Sequence, residues 1–140
     1  MPLKGNDTDG AVTRKRLETY VATAEKVTVV AATDAATVQV AATLAAAAEV
    51  VYTMTPTTGR TLTTPTGAEL GAAFTDEAVG SSFRFTVVNG AAATHAITLT
   101  AGASGVTLGG VAGMATIAAA SSASYVAVFT AANTVTIYRK

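Results

Sequence analysis

His95 is the only histidine in the chain. An imidazole can act as a general base or a metal ligand. A single histidine cannot build a multi-histidine metal site, and catalysis would require a positioned nucleophile and an orienting group. His95 opens the alternating run His95, Ile97, Leu99 beside a turn, so it reads as a packing or strand-end residue. Ser104 lies in Gly102-Ala103-Ser104-Gly105, which lacks the G-x-S-x-G spacing of a nucleophile elbow and reads as a hairpin loop. Gly109-Gly110-Val111-Ala112-Gly113 has no G-x-G-x-x-G pattern and opens no helix, so it indicates no phosphate cradle. Asp76-Glu77 are adjacent but isolated acids and read as a solvated turn rather than an acid/base pair or a calcium loop. Tyr20, Tyr52, Tyr125 and Tyr138 are scattered, which suits core or rim packing. These readings predict no enzyme activity, no catalytic residue, no metal and no cofactor.

The 140 residues amount to one domain. Half of the residues are hydrophobic, but Ala supplies much of that share, aromatic residues are 6% and Trp is absent. Small apolar side chains bury little area each, so extra stability from assembly is expected. Without Cys, disulfides, zinc-thiolate sites and cysteine nucleophiles are excluded. Charged residues are 13% and the formal net charge is zero, which argues against nucleic-acid binding and a polybasic membrane contact. No apolar run is long enough to cross a bilayer, and the first residues show no apolar signal region. Asn6-Asp7-Thr8 matches a glycosylation sequon and reads as chance.

The placement of charge says more than its total. Half of the charged residues fall in residues 1–26, and none occurs between Arg84 and Arg139. Solvent-facing surfaces ordinarily intersperse both signs of charge. A surface of Thr, Ser and Ala instead suits a closely packed interface, where ions would have to be desolvated.

Residues 1–26 are expected to form an N-terminal arm, followed by one β-sandwich domain over 27–140. Within the arm, Leu17, Tyr20, Val21 and Ala24 have helical spacing over 13–24. The Arg14-Lys15-Arg16 triplet would sit where a helix dipole disfavours cations, so an extended arm competes. From Val27 the period becomes two. Candidate strand stretches lie around 27–31, 37–44, 50–55, 60–63, 83–88, 95–100, 106–108, 115–118, 125–130 and 134–138, and eight or nine short strands are expected from them. Asn89-Gly90 signals a turn. Thr66 and Glu69 have capping-box spacing and open one short helix over about 66–74, with Phe74 as its anchor. The predicted fold is all-β, a jelly-roll-like sandwich with Thr rows outside; an Ig-like sandwich is second.

Several segments then resemble small virion proteins of tailed bacteriophages. They are Arg60-Thr61-Leu62-Thr63-Thr64-Pro65-Thr66, Val79-Gly80-Ser81-Ser82-Phe83-Arg84-Phe85-Thr86-Val87-Val88-Asn89, Ile97-Thr98-Leu99-Thr100-Ala101-Gly102, Gly105-Val106-Thr107-Leu108 and Asn133-Thr134-Val135-Thr136-Ile137-Tyr138-Arg139. Size and charge-poor composition resemble the capsid cement, or decoration, proteins on the outside of HK97-type heads. The resemblance covers about residues 60–139. It implies a sandwich or jelly roll, homo-oligomers, contact with the major capsid protein and no catalytic residues. The expected function is therefore a viral structural protein, made in the host cytoplasm, that binds the outer surface of a phage head and stabilises contacts between capsomers. Leu3, Arg14, Lys15, Arg16, Leu17 and Tyr20 are the candidates for capsid contact, and a Thr-rich strand face is the candidate for self-association. A homodimer is expected first and a trimer next. The alternative is a tail-fibre or receptor-binding module that recognises a host glycan.

Overall fold

A computed structural model describes residues 25–140. The capsid-contact candidates Leu3, Arg14, Lys15, Arg16, Leu17 and Tyr20 lie outside the described residues. The described chain is all-β, with two sheets packed face to face and two short helices at one side. Its elements are β1 (Val27–Ala31), β2 (Thr37–Val38), α1 (Ala41–Ala45), β3 (Glu49–Met54), β4 (Arg60–Thr63), α2 (Gly67–Ala73), β5 (Ser82–Asn89), β6 (Ile97–Thr100), β7 (Val106–Leu108), β8 (Thr116–Ile117), β9 (Ser121–Ala131) and β10 (Thr134–Arg139).

One sheet has six strands in the order β1-β3-β5-β9-β10-β7; the other has four in the order β2-β4-β6-β8. Through β6 the chain alternates between sheets, and each return lays a strand parallel to the one before it in that sheet. These strands therefore form three turns of a coil, with α1 and α2 stacked at corresponding positions on its side. The remaining chain closes the coil. β9 pairs antiparallel with β5, β10 pairs antiparallel with β9, and β8 pairs antiparallel with β6.

The jelly roll expected from strand spacing is not confirmed. Jelly rolls are antiparallel architectures, whereas five of the eight pairings here are parallel. Side-chain alternation has a period of two in either direction, so the pattern alone does not separate them. The strand expected over 37–44 also differs. β2 ends at Val38, and Ala41–Ala45 turn into α1 with Leu44 buried beneath it. A run of Ala favours a helix once Leu44 can anchor it.

Other local expectations hold. Thr66 accepts a hydrogen bond from the Glu69 amide, and the Glu69 carboxylate accepts one from the Thr66 amide at 2.8 Å, completing a capping box. α2 buries Leu70, while Phe74 closes the helix and stacks on Phe83 with centroids 4.8 Å apart. Gly67 cannot be larger, because a Cβ there would overlap the carbonyl oxygen of Asn133 in the β9–β10 turn.

Val50, Tyr52, Phe83, Phe85, Val87, Tyr125 and Ile137 fill the space between the sheets from one side; Leu62, Ile97, Leu99 and Ile117 fill it from the other. Phe85 stacks on Tyr125 at 5.0 Å, and the Tyr125 hydroxyl donates to the Met114 carbonyl at 2.8 Å. Asn89 is buried at the end of β5. Its amide group donates to the carbonyls of His95 and Ile117, and its carbonyl accepts from the Ala91 amide at 3.0 Å. The turn signal at Asn89 is thus also a bolt between the two sheets.

Candidate functional site

The residues that could do chemistry are held apart. His95 precedes β6 and Ser104 follows it, so they flank the strand at opposite ends. The His95 carbonyl accepts from Asn89, and the Ser104 carbonyl accepts from the Gly67 amide at 2.8 Å, so both are bound into turns through their backbones. Asp76 and Glu77 follow α2 and line a shallow depression with Phe74 and Thr75. A depression of about 540 Å³ runs along α1 and α2. Its one ionisable side chain is Glu69, which the capping hydrogen bonds from Thr66 hold below the usual carboxylate range. Among the described residues, no group of three or more His, Cys, Asp or Glu side chains converges on a possible metal position.

One ion pair clasps the coil. Arg60 Nε donates to Asp34 Oδ1 at 2.6 Å, and Thr57 donates to Asp34 Oδ2 through its amide and its hydroxyl. Asp34 sits between β1 and β2, while Thr57 and Arg60 lie before and at the start of β4, so the clasp joins successive turns. The Arg60 hydrogen bond, followed by that from Thr57, pushes the Asp34 carboxyl far below the usual range. Nothing local in the sequence links Asp34 to Arg60, because the partners stand 26 positions apart.

The distinctive site is a surface. On the outer side of the six-stranded sheet, pairing registers align Val27, Glu49, Arg84, Val126 and Tyr138 in one row. The next row holds Val29, Val51, Thr86 and Ser124, and a third holds Ala31, Thr53, Val88 and Ser122. On the other side of the first row lie Ser82, Val128, Thr136 and Thr107. Glu49 and Arg84 are the only charges in these rows. Thr86 donates to Glu49 at 2.6 Å and shares a 2.8 Å hydrogen bond with Ser124, so the carboxylate is tied into the sheet. Val27 and Val29 remain 57% and 65% exposed, and Tyr138 44% exposed. The apolar side chains form two separate strips, on β1–β3 and on β9–β10, with Glu49, Arg84 and Thr86 between them; exposed apolar patches are where interaction sites are sought.

The four-stranded sheet presents a different face. Thr61, Thr98 and Thr116 form one row across β4, β6 and β8; Val38, Thr63 and Thr100 form another across β2, β4 and β6. This is the Thr-rich strand face expected from the sequence, and it carries no charge. Its hydroxyls can bond water, so covering it requires each to find a new partner.

No protein-family model matches this chain, and no curated protein or solved structure matches it.

Proposed function

We propose that the chain is a capsid cement protein that binds the outer surface of a tailed-phage head and strengthens contacts between capsomers. The observation that carries this reading is the nearly uncharged outer face of the six-stranded sheet. Its β9–β10 part, with Val126, Val128, Thr136 and Tyr138, would press on the major capsid protein. An exposed tyrosine beside an aliphatic neighbour, here Val126, is the kind of anchor that dominates interface energies. Six strands about 4.8 Å apart and roughly 20 Å long offer on the order of 500 Å². Stable interfaces bury about 800 Å² per partner, so the face needs an extension, which Leu3 and the Arg14-Lys15-Arg16 triplet of the arm would supply. Each contact would be modest, and repetition over the shell would give strength.

The threonine face would serve contacts between copies, as a dimer first and a trimer next. The protein would then reside on the virion after synthesis in the host cytoplasm, with no enzymatic role and no direct contact with nucleic acid or membrane.

Quantitative mass spectrometry of purified virions from the genome that carries this chain tests the reading. A copy number comparable to that of the shell subunit is expected; absence from the particle overturns it. A glycan-binding tail module is the competing assignment. It calls for a concave aromatic site, but of the tyrosines among the described residues Tyr52 and Tyr125 are buried and Tyr138 sits on a sheet. Reproducible glycan-array binding without affinity for shells would favour that assignment.

A further inference from the structure

We propose that the β1 edge of the six-stranded sheet pairs with the same edge of a second copy of this chain, antiparallel about a two-fold axis at Val29. A strand at a sheet edge presents a row of unpaired N–H and C=O groups, and proteins blunt such edges with very short strands, charges, proline or bulges. The two sheets end at β1 and β7 in one and at β2 and β8 in the other. β2 and β8 have two residues each, and β7 has three. β1 has five, Val-Thr-Val-Val-Ala, with no charge, no proline and an unbroken register against β3. Among the described residues it is the one long edge, and nothing in its own sequence blunts it.

Backbone bonds fix which groups point outward. The Ala48 amide donates to the Lys26 carbonyl at 2.8 Å, and the Ala32 amide donates to the Thr53 carbonyl at 2.8 Å. Alternate residues of a parallel strand face its neighbour. Lys26, Thr28, Val30 and Ala32 therefore face β3, while Val27, Val29 and Ala31 turn their N–H and C=O groups to the open side. This outward set is symmetric about Val29, which is the pattern that a second copy of the same strand satisfies. Opposed residues of this kind in an antiparallel pair exchange both N–H···O bonds. Val29 would meet Val29 of the second copy and Val27 would meet Ala31, with about six hydrogen bonds in all. The side chains agree. Val27 and Val29, 57% and 65% exposed, would gain aliphatic cross-strand neighbours on the outer face. No like charges meet within the neutral strand, and Lys26 of each copy would lie opposite Ala32 of the other, toward Asp34, where the charges are of opposite sign. The contact is independent of the threonine face, which belongs to the other sheet. Five strand residues span only about 17 Å at 3.3 Å each, so the pairing is weak in dilute solution and is best detected by trapping it.

The absence of native Cys makes the test direct. Residues that exchange both bonds across an antiparallel pair have Cα atoms about 5.5 Å apart, which is within disulfide reach. Full-length protein carrying Val29→Cys is oxidised mildly and run on a non-reducing gel beside Val79→Cys, a 75% exposed position in the loop before β5 that reports random collisions. Disulfide-linked dimers of Val29→Cys should form at least about tenfold faster. Formation no faster than with Val79→Cys, or a protein that stays monomeric, overturns the proposal. A second measurement checks the register and guards against a misfolded variant. Val27→Cys mixed with Ala31→Cys should yield the mixed dimer at least about tenfold faster than either variant links to itself, because two copies of Val27 would stand about 13 Å apart. Self-linking as fast as mixed linking overturns the proposal. No shell is present in either experiment, so the result is independent of the cement reading.

Discussion

The two outer faces of this molecule are both nearly free of charge, yet they solve different problems. The six-stranded face carries Val27, Val29 and Val51 on its β1–β3 side and Val126, Val128 and Tyr138 on its β9–β10 side, with Glu49, Arg84 and several Thr and Ser between and around them. The four-stranded face is a grid of threonines. Covering the first releases water from apolar surface, which is favourable roughly in proportion to area. Covering the second trades hydroxyl–water bonds for hydroxyl–protein bonds, and such exchanges net little. A low charge count alone would treat these faces as equivalent. The identity of the neutral residues, rather than the charge count, distinguishes the two faces.

If both faces belong to one cooperative unit, a substitution in their shared core should unfold them together, and this is the largest expected effect. Phe85 is fully buried behind the six-stranded face and belongs to the same core as Leu62 and Leu99 of the other sheet. Phe85→Ala should destabilise the protein by about 3–5 kcal/mol. Denaturant unfolding followed by tyrosine fluorescence and by far-UV circular dichroism should shift together. Separate transitions would mean that the faces are independent.

Next in size is a charge placed on each face. Tyr138→Asp should weaken co-sedimentation with purified shells by at least about thirtyfold, the loss of a hot-spot side chain. Thr98→Asp should leave shell binding within about twofold while weakening self-association measured by sedimentation velocity. Both sites are exposed, so thermal stability should change by less than about 0.5 kcal/mol in either variant. Equal losses of shell binding would erase the distinction between the faces.

Smaller still is Thr66→Ala, which removes one half of the capping box at the side of the sandwich. A loss of about 1 kcal/mol is expected, read from the denaturant midpoint, with shell binding unchanged. The smallest effect concerns the Asp34–Arg60 clasp. The folded carboxyl of Asp34 titrates far below its ordinary value near 3.8. A depressed folded pKa adds stability that is complete above the unfolded value and is lost as pH falls below it. Stability should therefore decline from about pH 4 downward, and Asp34→Asn should flatten that part of the profile. The pair is solvent-exposed, so the effect is small.

Much of the inner architecture was legible from residue order. The alternations through 50–54, 83–87, 97–99 and 135–137 identified side chains that the core does bury. The Thr66–Glu69 spacing located α2, and the Thr rows do lie outside. Strand direction was not legible, because the two-residue period is the same for parallel and antiparallel pairs. The coil was hidden as well, since its turns differ in length and share no repeated sequence. Ala41–Ala45 read as strand because Val38, Val40, Ala42 and Leu44 alternate by chance, whereas the chain uses Leu44 to anchor a helix. For the candidate site, alternation marked Val27 and Val29 as co-facial without saying whether that face was covered. That depends on which strand lies at the sheet edge, a property of topology. The arm residues first singled out for shell contact fall in 1–24, outside the described residues.

Tyr138 provides the sharpest single test of the docking face. Oxidative footprinting of this side chain should be compared between free protein and protein bound to purified shells, with Tyr125, which lies in the core, as the internal reference. The account predicts that shell binding suppresses oxidation of Tyr138 several-fold. Co-sedimenting protein whose Tyr138 remains as reactive as in solution would contradict it.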